Sequence, residues 1–250
     1  MPVPYDIALI AGRREELLAR TLASFADRVF PNFTIGKVIV NIDPFMNDVA
    51  EGDRCEALVR QWFPEATVFR PRKADFASAV KRVWAATTAP RVLHLEDDWL
   101  ALEPITPDRV EALLEAGVGS VTFTHSNKHT RGRPDQLARR TYTTEDGTVR
   151  EVLENCHSTS PGVFVGDFLR QAAAVMRPKM DPERQFSRAL NPELEALAFP
   201  LRCVFMNGQS SRFLIEDIGR TYREARGIVR SKNRFRAIWV QVPPTSDGAV

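Results

Sequence analysis

Little in this sequence would tie it together covalently. Its three cysteines, Cys55, Cys156 and Cys203, are odd in number, lie far apart and form no C-x-x-C pair, which argues against a disulfide framework and a structural zinc site. A reducing compartment is the expectation. Charge of one sign is missing as well: 34 basic residues face 32 acidic ones, for a net charge of +2, so any attraction to an anionic partner has to come from local clustering. Long apolar runs are absent. The opening MPVPYDIALIAGRREE has no basic leader, and its apolar stretch of about seven residues is too short for a signal sequence or a membrane span. These absences point to a soluble, cytoplasmic protein without a membrane anchor. There are no internal repeats and no clear linker. A Gly-rich, Lys-bearing phosphate loop after the first apolar run is replaced by AGRREE, a poor form of the nucleotidyltransferase pattern.

What is present is ordinary globular material. Of 250 residues, 44% are hydrophobic and 26% charged, enough for one large domain with a sizeable core. Short β-type runs alternate with helical patterns through the first half, which predicts an α/β domain with a mostly parallel central sheet. Strands are expected over 5–11, 37–43, 66–69 and 91–95. A helix over 14–27 carries Leu17, Leu18, Thr21, Leu22 and Phe25 on one face, at helical spacing. Further helices are expected over 51–62 and from Asp75 to about Thr87, the latter through Phe76, Val80, Val83 and Trp84. The second half is less regular. It offers strands at 120–124, 162–165 and 201–206, a hairpin over 141–153, helices from Asp167 and over 192–199, then a basic tract and a last strand. The expected division is 1–102 and 103–242, with 243–250 as a disordered tail.

One feature is out of keeping with a buried strand: the run RVLHL ends in Glu96, Asp97 and Asp98. Three anions side by side repel unless a cation or hydrogen-bond donors compensate them. A hard divalent ion suits oxygen ligands and bridges to phosphates; alternatively, the triplet simply begins a helix. In open α/β sheets, ligands bind beyond the carboxyl ends of the strands, which is where this triplet lies.

The stretches IALIAGRREELLARTLASF, KVIVNIDP and DFASAVKRVWAATTAPRVLHLEDDWL, in this order, resemble the nucleotide-binding half of glycosyltransferases with the GT-A fold, including the family-2 type. The resemblance implies a single-domain, Rossmann-like, nucleotide-sugar-binding α/β fold with an E-D-D variant of the D-x-D signature. It implies that Asp98 holds Mn²⁺ or Mg²⁺ on a nucleotide-diphosphate sugar and that Glu96 and Asp97 face the ribose or donor sugar. By the same resemblance Ala11, Gly12, Arg13 and Asp43 contact the nucleoside, and Lys73 lies in a donor-binding region. FLIEDIGRTYREARGI resembles the acidic pair that carries the catalytic base in inverting members, with Asp217 ahead of Glu216. A helix start without chemistry is the plain alternative.

Other residues admit two readings each. His157 and Ser158, before GVFV, are acceptor contacts or structural groups; Trp99 stacks on a sugar or covers the core. His94 reads as packing, and Lys81 and Arg82 as a solvated helix face. His125 and His129 flank a basic loop that, with Arg131 and Arg133, suits an acceptor. Arg139, Arg140 and the tract Arg220, Arg223, Arg226, Arg230, Lys232, Arg234 and Arg236 add positive charge. DNA is the concrete polyanionic acceptor, specifically a hydroxymethylated pyrimidine, since phosphate contacts dominate such affinity; a glycan or lipid-linked saccharide is the alternative. The expected function is metal-dependent sugar transfer, with a nucleotidyltransferase and a non-catalytic nucleic-acid-binding protein as rivals.

Overall fold

The computed structural model describes residues 2–126, 139–143, 147, 149–153, 157–186, 190–209, 213–231 and 238–241. In chain order the elements are β1 (Pro4–Arg13), α1 (Glu15–Arg28), β2 (Thr34–Met46), α2 (Val49–Trp62), β3 (Thr67–Phe69), α3 (Phe76–Ala85), β4 (Arg91–Glu96) and β5 (Trp99–Ala101). There follow α4 (Pro107–Glu111), β6 (Val118–Phe123), β7 (Arg139–Thr143), β8 (Val149–Leu153), β9 (Gly162–Val165) and α5 (Gly166–Val175). The chain closes with α6 (Pro192–Ala198), β10 (Arg202–Met206), β11 (Ile215–Asp217), α7 (Gly219–Glu224), β12 (Ile228–Ser231) and β13 (Ile238–Gln241).

Seven strands make one sheet in the order β10-β6-β9-β4-β1-β2-β3. Every neighbouring pair is parallel except those of β9, which runs antiparallel to both β4 and β6. Alternation along β1 explains why the sheet is covered on both faces. Tyr5, Ile7, Leu9 and Ala11 enter one apolar layer with Leu18, Leu22 and Phe25 of α1 and Cys55 and Val59 of α2. Ala8 and Ile10 enter the opposite layer with Val80, Val83 and Trp84 of α3 and Phe168, Leu169 and Ala172 of α5. Successive side chains of a strand point to opposite faces, so a strand buried on both sides is apolar throughout. Each buried Val, Leu, Ile or Phe of these layers contributes about 1.5–3 kcal/mol. These two layers are the main source of the fold's stability.

The five apolar-face residues expected on α1 are all buried. Phe76 departs from expectation: at the first position of α3 it is 40% exposed, while Val80, Val83 and Trp84 behind it are buried. His94 packs as expected, accepting the Trp84 indole N–H at 3.0 Å. The hairpin expected at 141–153 forms as β7 and β8. The acidic pair of the second half lies in a strand, since β11 pairs antiparallel with β5. With β9 inserted beside β4, the second half of the chain shares its sheet with the first. Residues 243–250 lie outside the described residues. No helix among the described residues is long and apolar enough to cross a membrane.

Candidate active site

The strand order β3-β2-β1-β4 reverses direction of growth between β1 and β4, the position where open α/β sheets leave a crevice for ligands. The chain after β4 turns back beneath the end of β1, with Asp97 N–H donating to the Ile10 carbonyl at 3.0 Å. Asp97 Oδ2 accepts the Gly12 N–H at 2.9 Å and Arg14 Nε at 3.2 Å, and Asp97 Oδ1 accepts Arg14 Nη2. Both carboxylate oxygens are thus spent, and Asp97 is 1% exposed. The expectation that Asp97 faces a ribose or sugar is corrected: it clamps the β1 loop to Arg14. Burial would lower the Arg14 pKa, but Asp97 and Asp98 more than offset it and hold it above the ordinary guanidinium value. Glu96 is half-buried and accepts the Trp99 indole N–H at 3.1 Å. Burial, and then the nearby Asp98 charge, push its pKa well above the usual carboxylate range.

Asp98 is where the two halves of the chain meet. Its Oδ2 accepts Arg14 Nη1 and Arg223 Nη1, each at 3.0 Å. Its carbonyl accepts the Ile218 N–H at 3.0 Å, which presses the start of α7 onto it. Gly219 is required at that contact, because a Cβ there would fall inside van der Waals distance of Asp98 Oδ2. Register places Asp217 opposite Trp99. Asp217 Oδ1 accepts the Arg220 N–H at 3.0 Å and stands 3.9 Å from Arg223 Nη2. Burial, and then the Asp98 charge, raise the Asp217 pKa. Glu216 is exposed on the other face of β11, so only Asp217 of the pair shares a partner with Asp98.

Among the described residues no three His, Cys, Asp or Glu side chains converge to hold an ion unaided. The donor set nevertheless fits a hard cation. Mg²⁺-type sites use one or two carboxylates plus substrate phosphate oxygens, and Asp98 offers an oxygen, Oδ1, beside the Oδ2 that takes both guanidiniums. Buried ion pairs add little net stability, because desolvation offsets attraction.

The remaining donor-side residues surround the same strand ends. Ala11 is buried within β1, so only its backbone borders the crevice. Arg13 Nη1 donates to the Asn47 carbonyl at 3.3 Å. Asp43 accepts Asn41 Nδ2 at 2.8 Å and the Asp75 N–H at 3.0 Å; burial raises its pKa. Lys73 is exposed in the loop before α3. Lys81 and Arg82 are not a solvated face: Lys81 Nζ donates to the Ala174 and Met176 carbonyls at 3.0 Å, and Arg82 Nη1 to Asn41 Oδ1.

For Trp99, His157 and Ser158 the structure favours the structural of the two readings. Trp99 is 5% exposed and its ring packs edge-on to His125 at 4.6 Å, so it covers the core. His157 is 3% exposed between Phe164, Phe168 and Phe186, with Nδ1 2.7 Å from Ser120 Oγ. Burial lowers its pKa to about 3. Ser158 donates to Glu183 Oε1 at 2.6 Å. A buried imidazole in an aromatic box is a packing group, and Ser158 ties that segment to Glu183. His129, Arg131, Arg133, Cys156, Lys232, Arg234 and Arg236 lie outside the described residues. Arg14 and Gly219 went unnoticed in the sequence; the signals were an arginine two residues after Gly12 and a glycine two residues after Asp217.

No family model and no curated protein matches the sequence. Solved structures do match. A mannosyltransferase, PcManGT from Pyrobaculum calidifontis, in complex with GDP-Man and Mn²⁺, superposes with a TM-score of 0.56 at 13% identity over 90% of this chain and 60% of that one. TarS 1–349 from S. aureus gives 0.53 at 12% identity over 86% of this chain and 60% of that one. This is the GT-A fold. GalNAc-T7, with UDP, GalNAc and Mn²⁺, gives 0.50 at 11% identity over 86% of this chain and 44% of that one. The chain spans about 60% of the length of the first two.

Proposed function

We propose that the protein is a metal-dependent glycosyltransferase that moves a sugar from a nucleotide-diphosphate sugar to an acceptor hydroxyl with inversion. The observation that carries this reading is the joining of Asp98 and Asp217 through one guanidinium. It brings a cation ligand at the end of β4 and a half-buried carboxylate from the far half of the chain to one place. The neighbours' complexes with GDP-Man, UDP and Mn²⁺ support a donor of the same class. Bound at Asp98, Mn²⁺ or Mg²⁺ would neutralise charge developing on the departing diphosphate. Asp217 takes the acceptor hydroxyl proton as that oxygen attacks the anomeric carbon and the bond to the diphosphate oxygen breaks. Burial and the Asp98 charge raise its pKa, which strengthens it as a general base. Arg14 and the Gly12 N–H fix Asp97, which in turn fixes the turn carrying Asp98. The test is release of UDP or GDP from a panel of nucleotide sugars with Mn²⁺ present. Absence of release and of binding across the panel would end the reading.

For the acceptor we propose DNA, on the charge of the basic tracts. Arg220 is exposed, but Arg223 turns inward and Arg226 lies over the Tyr222 ring, so the reading rests largely on arginines and lysines outside the described residues. Binding to duplex DNA should weaken steeply with salt, and transfer should require a hydroxymethylated pyrimidine. Transfer to a small glycan with salt-insensitive or absent DNA binding would replace DNA and leave sugar transfer standing.

A further inference from the structure

Arg223 stands where a cation of the reaction has to go. Besides its contacts to Asp98 and Asp217, its guanidinium carbon lies 4.6 Å from the centre of the Trp239 ring, on β13. Arg14 shares the same Asp98 oxygen, but it is also anchored by two hydrogen bonds to Asp97. Among the described residues Arg223 has only Asp98 at hydrogen-bond distance, because 3.9 Å to Asp217 is too long for one. Of the two guanidiniums, it is the one free to leave.

Charge balance says when it leaves. Arg14 and Arg223 face Asp97, Asp98 and Asp217, so negative charge slightly exceeds positive as the cluster stands. A divalent cation arriving alone at Asp98 would reverse that charge beside two guanidiniums, and like charges in a poorly solvated site repel strongly. A diphosphate arriving with it brings two negative charges and restores the balance. A guanidinium is also the side chain that best matches phosphate oxygens, through its planar fork of donors. The Trp239 face gives it a support to swing against.

We propose that Arg223 is a diphosphate-binding residue stored on Asp98: it yields the carboxylate to the cation and closes on the diphosphate when the two arrive together. The proposal rests on the glycosyltransferase reading and predicts that cation and nucleotide bind with strong synergy. Calorimetric titration of Mn²⁺ into the protein, alone and with UDP or GDP, tests it in wild type, Arg223→Gln and Arg223→Lys. Wild type should take Mn²⁺ weakly alone and at least about tenfold more tightly with the nucleoside diphosphate. Arg223→Gln should bind Mn²⁺ alone more tightly than wild type, and lose about ten- to a hundredfold in nucleotide affinity, the worth of one charged hydrogen bond. Arg223→Lys keeps the charge without the fork and should fall between. A Gln variant with wild-type affinities and only a lower melting temperature would make Arg223 a structural clasp and overturn the proposal. Should that variant not fold, wild-type nucleotide affinity in Arg223→Lys overturns it equally. A wild-type protein that binds none of these probes overturns the underlying glycosyltransferase reading instead.

Discussion

At the scale of single residues, the two acidic candidates of β11 separate by the face they occupy. Asp217→Asn should cut kcat by about 10²–10⁴-fold while nucleotide-sugar binding stays close to wild type, because a general base acts in the transition state. Glu216→Gln, on the exposed face, should leave both unchanged. Steady-state kinetics with separate measurement of donor affinity checks this, and a loss confined to Glu216→Gln would move the role to that neighbour. Asp98→Asn should abolish Mn²⁺-dependent turnover. It also leaves Arg14 and Arg223 facing a neutral amide, which should cost about 1–3 kcal/mol of stability without loss of secondary structure by circular dichroism. Full Mn²⁺ dependence in that variant would remove Asp98 from the cation site.

At the scale of elements, the contact of α7 with the turn after β4 is the tightest in the site. Gly219→Ala puts a methyl into Asp98 and must displace either the Asp98 carboxylate or α7. A loss of about 1–3 kcal/mol in denaturant unfolding is expected for such overpacking, with activity falling alongside because Asp98 and Arg223 separate. An Ala variant as stable and as active as wild type would show that α7 does not pack there. The layer around α3 and β9 makes a different prediction, about pH. Burial lowers His94 to about 4 and His157 to about 3, from 6.5. The unfolded chain therefore binds more protons than the folded one below pH 6.5. Stability is complete above that pH and declines as pH falls toward 4, by about 1.4 kcal/mol per pH unit for each histidine. Urea unfolding across this window measures the slope; His157→Phe, which keeps the aromatic box, should make it shallower.

At the scale of the whole molecule, the crevice is lined by both halves of the chain, so a ligand bound there should stabilise the fold as one unit. Nucleotide with Mn²⁺ at a hundred times its dissociation constant should add about 2.7 kcal/mol and raise the melting temperature in a single transition. Two transitions, only one of them shifted, would mean that the halves unfold separately despite their common sheet.

Much of this was written along the chain. Helix α1 announced itself through five residues at helical spacing, and β1, β2 and β4 through continuous apolar runs, because local periodicity is set by which face of an element is buried. The break from apolar run to Glu96, Asp97 and Asp98 marked the end of β4 for the same reason: a run of charges does not continue a strand that is buried on both faces. Partner choice was not local. That Asp97 spends both oxygens on Arg14 and Gly12, that the Trp99 ring packs on His125, and that His157 sits among three phenylalanines all depend on groups many residues away. The pairing of β5 with β11 converted an acidic dipeptide into one inward and one outward carboxylate, since side chains alternate along a strand and only the register says which is which. Arg223 looked like one member of a basic tract. Only the packing of α7 against Asp98, possible because residue 219 has no side chain, turned it from surface charge into the counter-ion of the site.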